Sequence, residues 1–128
     1  MSELTILAVD DNEAQNYALT RRLQSAGFKV VTAYTAEETM ARAQEMPDLI
    51  ILDVNLPDLN GFEVCRRLKA DPQLARIPVV FLSATSQDVA ATEMGRSVGA
   101  AAFLFAPVEQ AHLVSVIRGT LARRGTSA

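Results

Sequence analysis

Short apolar segments alternate regularly along this chain with longer stretches whose apolar residues recur at helical spacing. The apolar segments are rich in β-branched residues and nearly continuous, which is typical of parallel strands covered on both faces. Five of them occur, at residues 5–9, 30–33, 49–52, 79–82 and 102–105. The pattern therefore predicts an α/β fold with a parallel sheet between two layers of helices.

The weakest of the predicted helices is the fourth, at residues 86–98. Its apolar face is thin, and it contains Gly95, which costs about 1 kcal/mol relative to alanine in a helix interior. We therefore expect this helix to be the softest element of the fold.

The length of 128 residues fits a single domain with a sizeable core. We assign residues 1–124 to this domain, because residues 125–128 lack apolar periodicity and are expected to fray or to begin a linker. The single cysteine, Cys65, has no partner for an internal disulfide, so a reducing cytoplasm is the simpler expectation.

Charge and hydropathy argue against two classes of partner. The net charge is −3 with both signs interspersed, so no basic surface predicts direct binding of nucleic acid. No apolar run approaches the ~18 residues needed to span a bilayer. The amino terminus also lacks the basic start of a secretory signal. We expect this domain to bind neither nucleic acid nor membrane.

Polar residues follow three of the predicted strands. Asp10 and Asp11 follow the first strand, Asp53 follows the third, and Ser83 follows the fourth. In open parallel α/β sheets, ligands bind beyond the carboxyl ends of the strands, where the strand order reverses. If the order is 2-1-3-4-5, the first and third strands are neighbours. The three carboxylates then meet at that point, with the hydroxyl alongside.

Three carboxylates in one crevice raise one another's pKa unless a cation compensates. A hard divalent ion suits this set, magnesium rather than zinc, because the chain offers neither a second cysteine nor a second histidine. Beside magnesium, the carboxylate of Asp53 is a candidate nucleophile toward phosphorus. Catalysis would then consist mostly of positioning and charge neutralisation.

Four motifs, in this order and spacing, resemble the receiver domains of two-component response regulators, in particular the chemotaxis regulators. They are Asp10-Asp11, residues 52–61, Ser83-Ala84 and residues 103–107, and the resemblance extends from about residue 4 to residue 121. It implies a flavodoxin-like, doubly wound sheet of five parallel strands in the order 2-1-3-4-5, with five helices. It also implies a signalling protein that at most catalyses its own phosphorylation and dephosphorylation.

The resemblance further implies which residues act at the site. Asp53 would accept the phosphoryl group from a histidine kinase or a phosphotransfer protein. Asp10, Asp11 and Asp53, with the backbone carbonyl of Asn55, would bind Mg²⁺, and Asp10 would do so mainly through water.

Other residues are implied to read out or time the phosphorylated state. Ser83 would donate its hydroxyl to a phosphoryl oxygen, and Phe103 would act as an aromatic rotamer switch. Asn55 and Thr85 would modulate hydrolysis of the acyl phosphate. The signal would leave through the face formed by the fourth helix, the fifth strand and the fifth helix, where a homodimer could also form.

One residue departs from the family pattern. Receivers normally carry a lysine immediately before the proline that follows the fifth strand, and here that residue is Ala106. The site loses a cation whose interaction with a unit charge about 4 Å away is at most about 4 kcal/mol at an effective dielectric of 20. A second hypothesis is therefore a pseudo-receiver that binds partners with little or no phosphorylation. By resemblance we expect the Ala106-Pro107 peptide to be cis.

Two enzymes on a similar sheet are weaker alternatives. A phosphatase with an aspartyl nucleophile would need a second acid two residues later, where this chain has Asn55. A flavin protein would need a phosphate-binding loop after the first strand, where this chain has two acids.

Structural roles compete with the functional ones at several positions. The acids at positions 10 and 11 could simply cap the first helix together with Asn12. Phe103 could be an ordinary core residue. We expect Cys65 to be a small buried hydrophobe and His112 to face solvent.

Overall fold

The computed structural model describes residues 3–84 and 89–126, and strands and helices alternate throughout this part of the chain. The strands are β1 (Thr5–Val9), β2 (Lys29–Ala33), β3 (Leu49–Leu52), β4 (Val79–Ser83) and β5 (Ala102–Phe105). The helices are α1 (Glu13–Ser25), α2 (Ala36–Ala43), α3 (Gly61–Ala70), α4 (Val89–Ser97) and α5 (Gln110–Thr126), with a short 3-10 helix at Leu74–Arg76. Relative to the prediction, β2 begins one residue earlier and β4 ends one residue later.

The strands form a single parallel sheet in the order β2-β1-β3-β4-β5, which confirms the predicted topology. Val9 at the end of β1 pairs with Ala33 of β2 and Leu52 of β3. Leu52 in turn pairs with Phe81 of β4. This register brings the carboxyl ends of the strands to one edge, so the residues that follow them are neighbours in space although they are distant in sequence.

Each face of the sheet is covered by its own layer of helices. Along β1, the side chains of Leu7 and Val9 join a buried cluster with residues of α2 and α3. Ile6 and Ala8 point to the opposite face, where they pack with residues of α1 and α5. Because every residue of β3 is buried, the central strands read as continuous apolar segments rather than as an alternating pattern.

Gly95 in α4 has a packing role that its sequence position did not reveal. It is the buried residue of this helix, and a Cβ added there would lie 2.8 Å from Cδ2 of the Phe103 ring and 3.4 Å from Cδ2 of Phe81. Glycine thus allows the helix to approach the rings of the sheet closely. Residues 86–88 of the predicted helix lie outside the described residues, and the softness of α4 remains a prediction.

The carboxyl-terminal helix continues to Thr126, two residues past the predicted boundary at residue 124. Whether the final residues fray or begin a linker remains a prediction. Among the described residues, no helix combines the length and the apolarity that crossing a membrane requires.

Candidate functional site

Three carboxylates meet at the carboxyl edge of the sheet, as the sequence predicts. Asp10 and Asp11 follow β1 and Asp53 follows β3, and one carboxylate oxygen from each residue lies within 4.8 Å of those of the other two. Sheet hydrogen bonds extend past the strand ends and hold these residues in place. The N–H of Asp53 donates to the carbonyl of Val9 at 3.1 Å, and that of Asp10 donates to the carbonyl of Ala33 at 3.2 Å.

Among the acids of the cluster, Asp53 shows a large shift of its pKa. Burial, followed by the charge of Asp10, raises the pKa of Asp53 from its ordinary value of 3.8 to about 6, and the charge of Asp11 adds to the effect. Backbone N–H groups at residues 54 and 55 oppose the shift. The pKa of Asp10 is also raised, mainly by burial, against an opposing hydrogen bond from the N–H of Asn12.

This donor set fits a hard divalent cation. The oxygens of Asp10, Asp11 and Asp53 are close enough together to share one ion, and carboxylate oxygens are the ligands that Mg²⁺ takes in proteins. Since the pKa of Asp53 is raised by uncompensated burial and repulsion, a positive charge placed between the three residues would favour the ionised form. The arrangement thus supports a metal-assisted role for Asp53.

Asn55 lies beside this cluster. Its N–H donates to Oδ1 of Asp53 at 3.4 Å, and an isolated bridge joins it to Asn60 across the turn before α3. Asn60 then caps α3 by accepting from the N–H of Phe62 at 2.7 Å. The turn between residues 55 and 60 is therefore closed directly after Asp53. A role for the Asn55 carbonyl as a metal ligand remains a prediction.

Gly61 is a residue of the site that the sequence analysis missed. Its N–H donates to the carbonyl of Val54 at 2.7 Å, and a Cβ added to it would lie 2.3 Å from the carbonyl oxygen of Asp53. The segment that carries Asp53 can therefore approach α3 only because residue 61 has no side chain. The Asn60-Gly61 pair predicts a turn, but the sequence does not show what that turn contacts.

Asn16 is the second missed residue. It is fully buried in α1, and its side-chain amide donates to the carbonyls of Ala8, Asp10 and Ala33 at 3.3, 3.2 and 3.1 Å. The amide thus joins the ends of β1 and β2 beside the acids. A polar residue three positions before Leu19, on the apolar face of a helix, was the signal that could have identified it. The helix itself is capped by Asn12, whose side chain accepts from the N–H of Gln15.

The hydroxyl residue predicted for the site lies at the same edge. Ser83 is the last residue of β4 and is 2 % exposed, and its carbonyl accepts from the N–H of Ala106 at 2.8 Å. Thr85 lies outside the described residues. The Ala106-Pro107 peptide is cis, as expected.

Phe103 is half-buried in a cluster of four aromatic rings. Its centroid lies 5.5 Å from that of Phe81, 6.3 Å from that of Phe62 and 5.0 Å from that of Phe105. The ring also faces Gly95 of α4. This position combines a core contact with a connection between β5 and α4, and a role of Phe103 as a rotamer switch remains a prediction.

A pocket of about 180 Å³ opens beside the acids. Asp10 and Asp53 line one part of it, and Ala106 lines another, together with Arg22 of α1. The remaining lining residues are Gln15, Ala18, Leu19, Leu82 and Ala84. The small side chain at position 106 thus borders open space next to Asp53.

Cys65 and His112, for which the sequence predicts no catalytic role, lie where the sequence places them, one buried and the other exposed. Cys65 is fully buried, and burial raises the pKa of its thiol to about 11. Its thiol group lies 3.5 Å from the carbonyl of Val98, to which it donates. His112 is exposed on α5. Both expectations are confirmed.

Comparison with known proteins identifies the family. The model of the response regulator receiver domain matches residues 6–118. The chain belongs to this family. It is 35% identical to protein PilH of Pseudomonas aeruginosa over 91% of its own length and 97% of PilH.

Further relatives support the assignment to this family. The chain is 34% identical to the phosphate regulon transcriptional regulatory protein PhoB of Rhizobium meliloti over 92% of its own length, but this match covers 52% of PhoB. The structure of the chemotaxis protein CheY4 of Vibrio cholerae superposes with a TM-score of 0.85 at 31% identity, covering 92% of this chain and 98% of CheY4. The chain therefore spans nearly all of PilH and CheY4 and about half of relatives such as PhoB.

Proposed function

We propose that this receiver domain accepts a phosphoryl group on Asp53 from a histidine kinase or a phosphotransfer protein. The observation that carries the proposal is the meeting of three carboxylates, with oxygens within 4.8 Å, at the edge where β1 and β3 end. In the transfer, an oxygen of Asp53 attacks the phosphorus of a phosphohistidine. The new P–O bond forms as the P–N bond breaks, and the imidazole leaves with the electron pair and takes a proton from water.

The raised pKa of Asp53 indicates how the site would be prepared for this step. In the metal-free site the pKa of Asp53 is about 6, so the carboxylate is largely ionised at neutral pH, and a bound cation would favour this nucleophilic form further. Bound Mg²⁺ would neutralise charge on the oxygens of the transferring group. Asp10, Asp11 and Asp53, with the carbonyl of Asn55, are the residues that would hold it.

We propose that the signal passes from Ser83 to Phe103. Both residues lie on adjacent strands, since Ser83 pairs with Phe105 and Phe81 pairs with Phe103. A hydroxyl drawn toward a phosphoryl group would shift the end of β4, and the ring of Phe103, which contacts Gly95, would transmit the shift to α4. The α4-β5-α5 face is therefore the proposed output surface, and the surface through which a homodimer would form. Asn55 and Thr85 are proposed to modulate the lifetime of the acyl phosphate.

Intact-protein mass spectrometry after incubation with Mg²⁺ and acetyl phosphate tests the assignment. We expect the added mass of one phosphoryl group on the wild-type protein and none on Asp53→Asn. A matched control is Asp48→Asn, which removes a carboxylate at the opposite edge of the sheet, just before β3, and should leave labelling unchanged. Labelling that persists in Asp53→Asn would refute the role of this residue.

The pseudo-receiver is the second candidate, and Ala106 beside Asp53 is the observation that favours it. It would keep the fold and bind its partner without a phosphorylation switch. Beryllofluoride with Mg²⁺ distinguishes the two hypotheses, because amide shifts across α4 and α5 should move for a switch and stay in place for a passive module. In either case we propose action in the cytoplasm, as expected from the single cysteine, without direct contact with nucleic acid or membrane.

A further inference from the structure

A phosphorylated Asp53 would leave the site with too little positive charge. The acyl phosphate on Asp53 would carry about two negative charges beside the two carboxylates of Asp10 and Asp11. One divalent ion offsets about two of the resulting four charges. The burial of Asp53 makes the remaining repulsion more costly than it would be in water. A further cation near this residue would complete the site.

The pocket beside Asp53 is lined by a residue that could supply this charge. Of the described residues that line it, Arg22 is the one that carries a positive charge. The pocket also has adequate space. Its volume is about 180 Å³, and a cavity of about 150 Å³ admits a molecule of the size of benzene, so the pocket that Asp53 and Arg22 both line has room for a phosphoryl group.

The guanidinium of Arg22 is already ordered. Its Nε donates to Oε1 of Gln110 at 2.9 Å, and its Nη2 donates to the carbonyl of Val108. Gln110 in turn donates from Nε2 to the carbonyl of Arg22 at 2.9 Å. These bonds join α1 to the start of α5 and immobilise the side chain. Ordering the guanidinium in advance lowers the entropy cost of binding an anion.

We propose that Arg22 is the cation that contacts the phosphoryl group on Asp53. Arginine suits this task because its planar fork of N–H donors matches the oxygens of a phosphoryl group. Its Nε and Nη2 are engaged, whereas its Nη1 makes no hydrogen bond within residues 3–84 and 89–126. The inference rests on the proposed phosphorylation of Asp53. Arg22 would supply from α1 the positive charge that the residues at the strand ends lack.

Binding of beryllofluoride with Mg²⁺, a mimic of the phosphoryl group, tests the proposal by titration of amide chemical shifts. Arg22→Ala should weaken binding about 10- to 100-fold, the range for loss of a hydrogen bond to a charged group. Arg21→Ala is the matched control, because Arg21 is the neighbouring arginine of α1, is exposed and contacts Tyr17. It should bind like the wild-type protein.

A second pair of variants separates a contact with the anion from the structural link between α1 and α5. Ala106→Lys places an ammonium in the same pocket without restoring the bonds to Val108 and Gln110. In the Arg22→Ala background it should recover most of the lost affinity, whereas Ala106→Met, which adds similar bulk without charge, should recover none. If Arg22→Ala lowers stability, the comparison of Arg22→Lys with Arg22→Gln replaces it, and the lysine variant should bind more tightly.

The outcomes separate this inference from the proposed function. Arg22→Ala that binds as tightly as the wild-type protein, while Asp53→Asn binds nothing, would overturn the role of Arg22 and leave phosphorylation of Asp53 intact. Equal recovery by lysine and methionine at position 106 would assign Arg22 a purely structural role. A wild-type protein that neither binds beryllofluoride nor accepts label would overturn both proposals.

Discussion

The acidic cluster and the aromatic cluster of this domain are stabilised in different ways. At the ends of β1 and β3, three like charges lie within 4.8 Å, and burial works against them. On the side of β4 and β5, the rings of Phe62, Phe81, Phe103 and Phe105 contact one another at centroid distances from 5.0 to 6.3 Å. The acidic side carries unfavourable electrostatic energy that a ligand can release, whereas the aromatic side contributes packing energy. The signal proposed to pass from one to the other would convert charge into a change of packing.

The largest effect on stability should come from the aromatic side. Phe81 is fully buried, and Phe81→Ala should lower the free energy of unfolding by about 3–5 kcal/mol, the usual cost of removing a buried ring. Phe105→Ala is the control, because this ring is half-buried and its loss should cost less. Urea denaturation measures both. Equal costs would show that the cluster does not depend on its buried member.

A substitution at Gly61 tests whether stability and Mg²⁺ affinity at the acidic cluster depend on close packing against α3. In Gly61→Ala the new Cβ would meet the carbonyl oxygen of Asp53 at 2.3 Å, so the backbone must move, at a cost of about 1–3 kcal/mol. Affinity for Mg²⁺, followed by amide shifts, should fall as well. Gly119→Ala is the control, since its Cβ would meet only the flexible end of Arg123, at 3.5 Å. A Gly61→Ala protein with unchanged stability and metal affinity would contradict this dependence.

The charge of Asp53 should lower stability in the absence of metal. The pKa of this acid is higher in the folded protein, about 6, than its ordinary value of 3.8. The folded state therefore holds the proton more tightly, and the free energy of unfolding should fall as pH rises from about 4 to 6. Asp53→Asn should recover about 1–2 kcal/mol at pH 7.5, a figure discounted for the water that still reaches the side chain.

Urea titrations in EDTA across this pH range measure the effect. The wild-type protein and Asp53→Asn should have similar stability below pH 4, diverge between about pH 4 and 6, and stay apart above that range, as the pKa of Asp53 requires. Added Mg²⁺ should stabilise the wild-type protein more than the variant. Parallel curves at all pH values would indicate that the acids do not repel one another as their positions imply.

The smallest effect should appear where α4 meets Phe103. Gly95→Ala gains about 1 kcal/mol of helix propensity but places a methyl group 2.8 Å from the ring, so the net change should stay within about 1 kcal/mol. In a Phe103→Ala background the same change should be stabilising, because the opposing ring is absent. A double-mutant cycle measures this coupling. Additive effects would argue against the contact of Phe103 with Gly95 as the means by which a shift in β5 reaches α4.

Much of the fold could be predicted from the sequence alone. The strands are short, buried and continuous, and parallel pairing necessarily places their carboxyl ends at one edge, so the positions of Asp10, Asp11 and Asp53 followed from chain order once the topology was inferred. The cis peptide at Ala106-Pro107 was expected from family resemblance and not from any local pattern.

Only the tertiary structure identified the residues that surround the acids. Asn16 and Arg22 lie on one helix, and their partners include carbonyls up to 86 positions away in the sequence. Gly61 and Gly95 have the appearance of an ordinary turn residue and a helix defect until the atoms opposite them are known. The physical reason is that periodicity and strand order are local properties that repeat along the chain. A through-space contact has no such repeat, and it is determined only when the elements pack together.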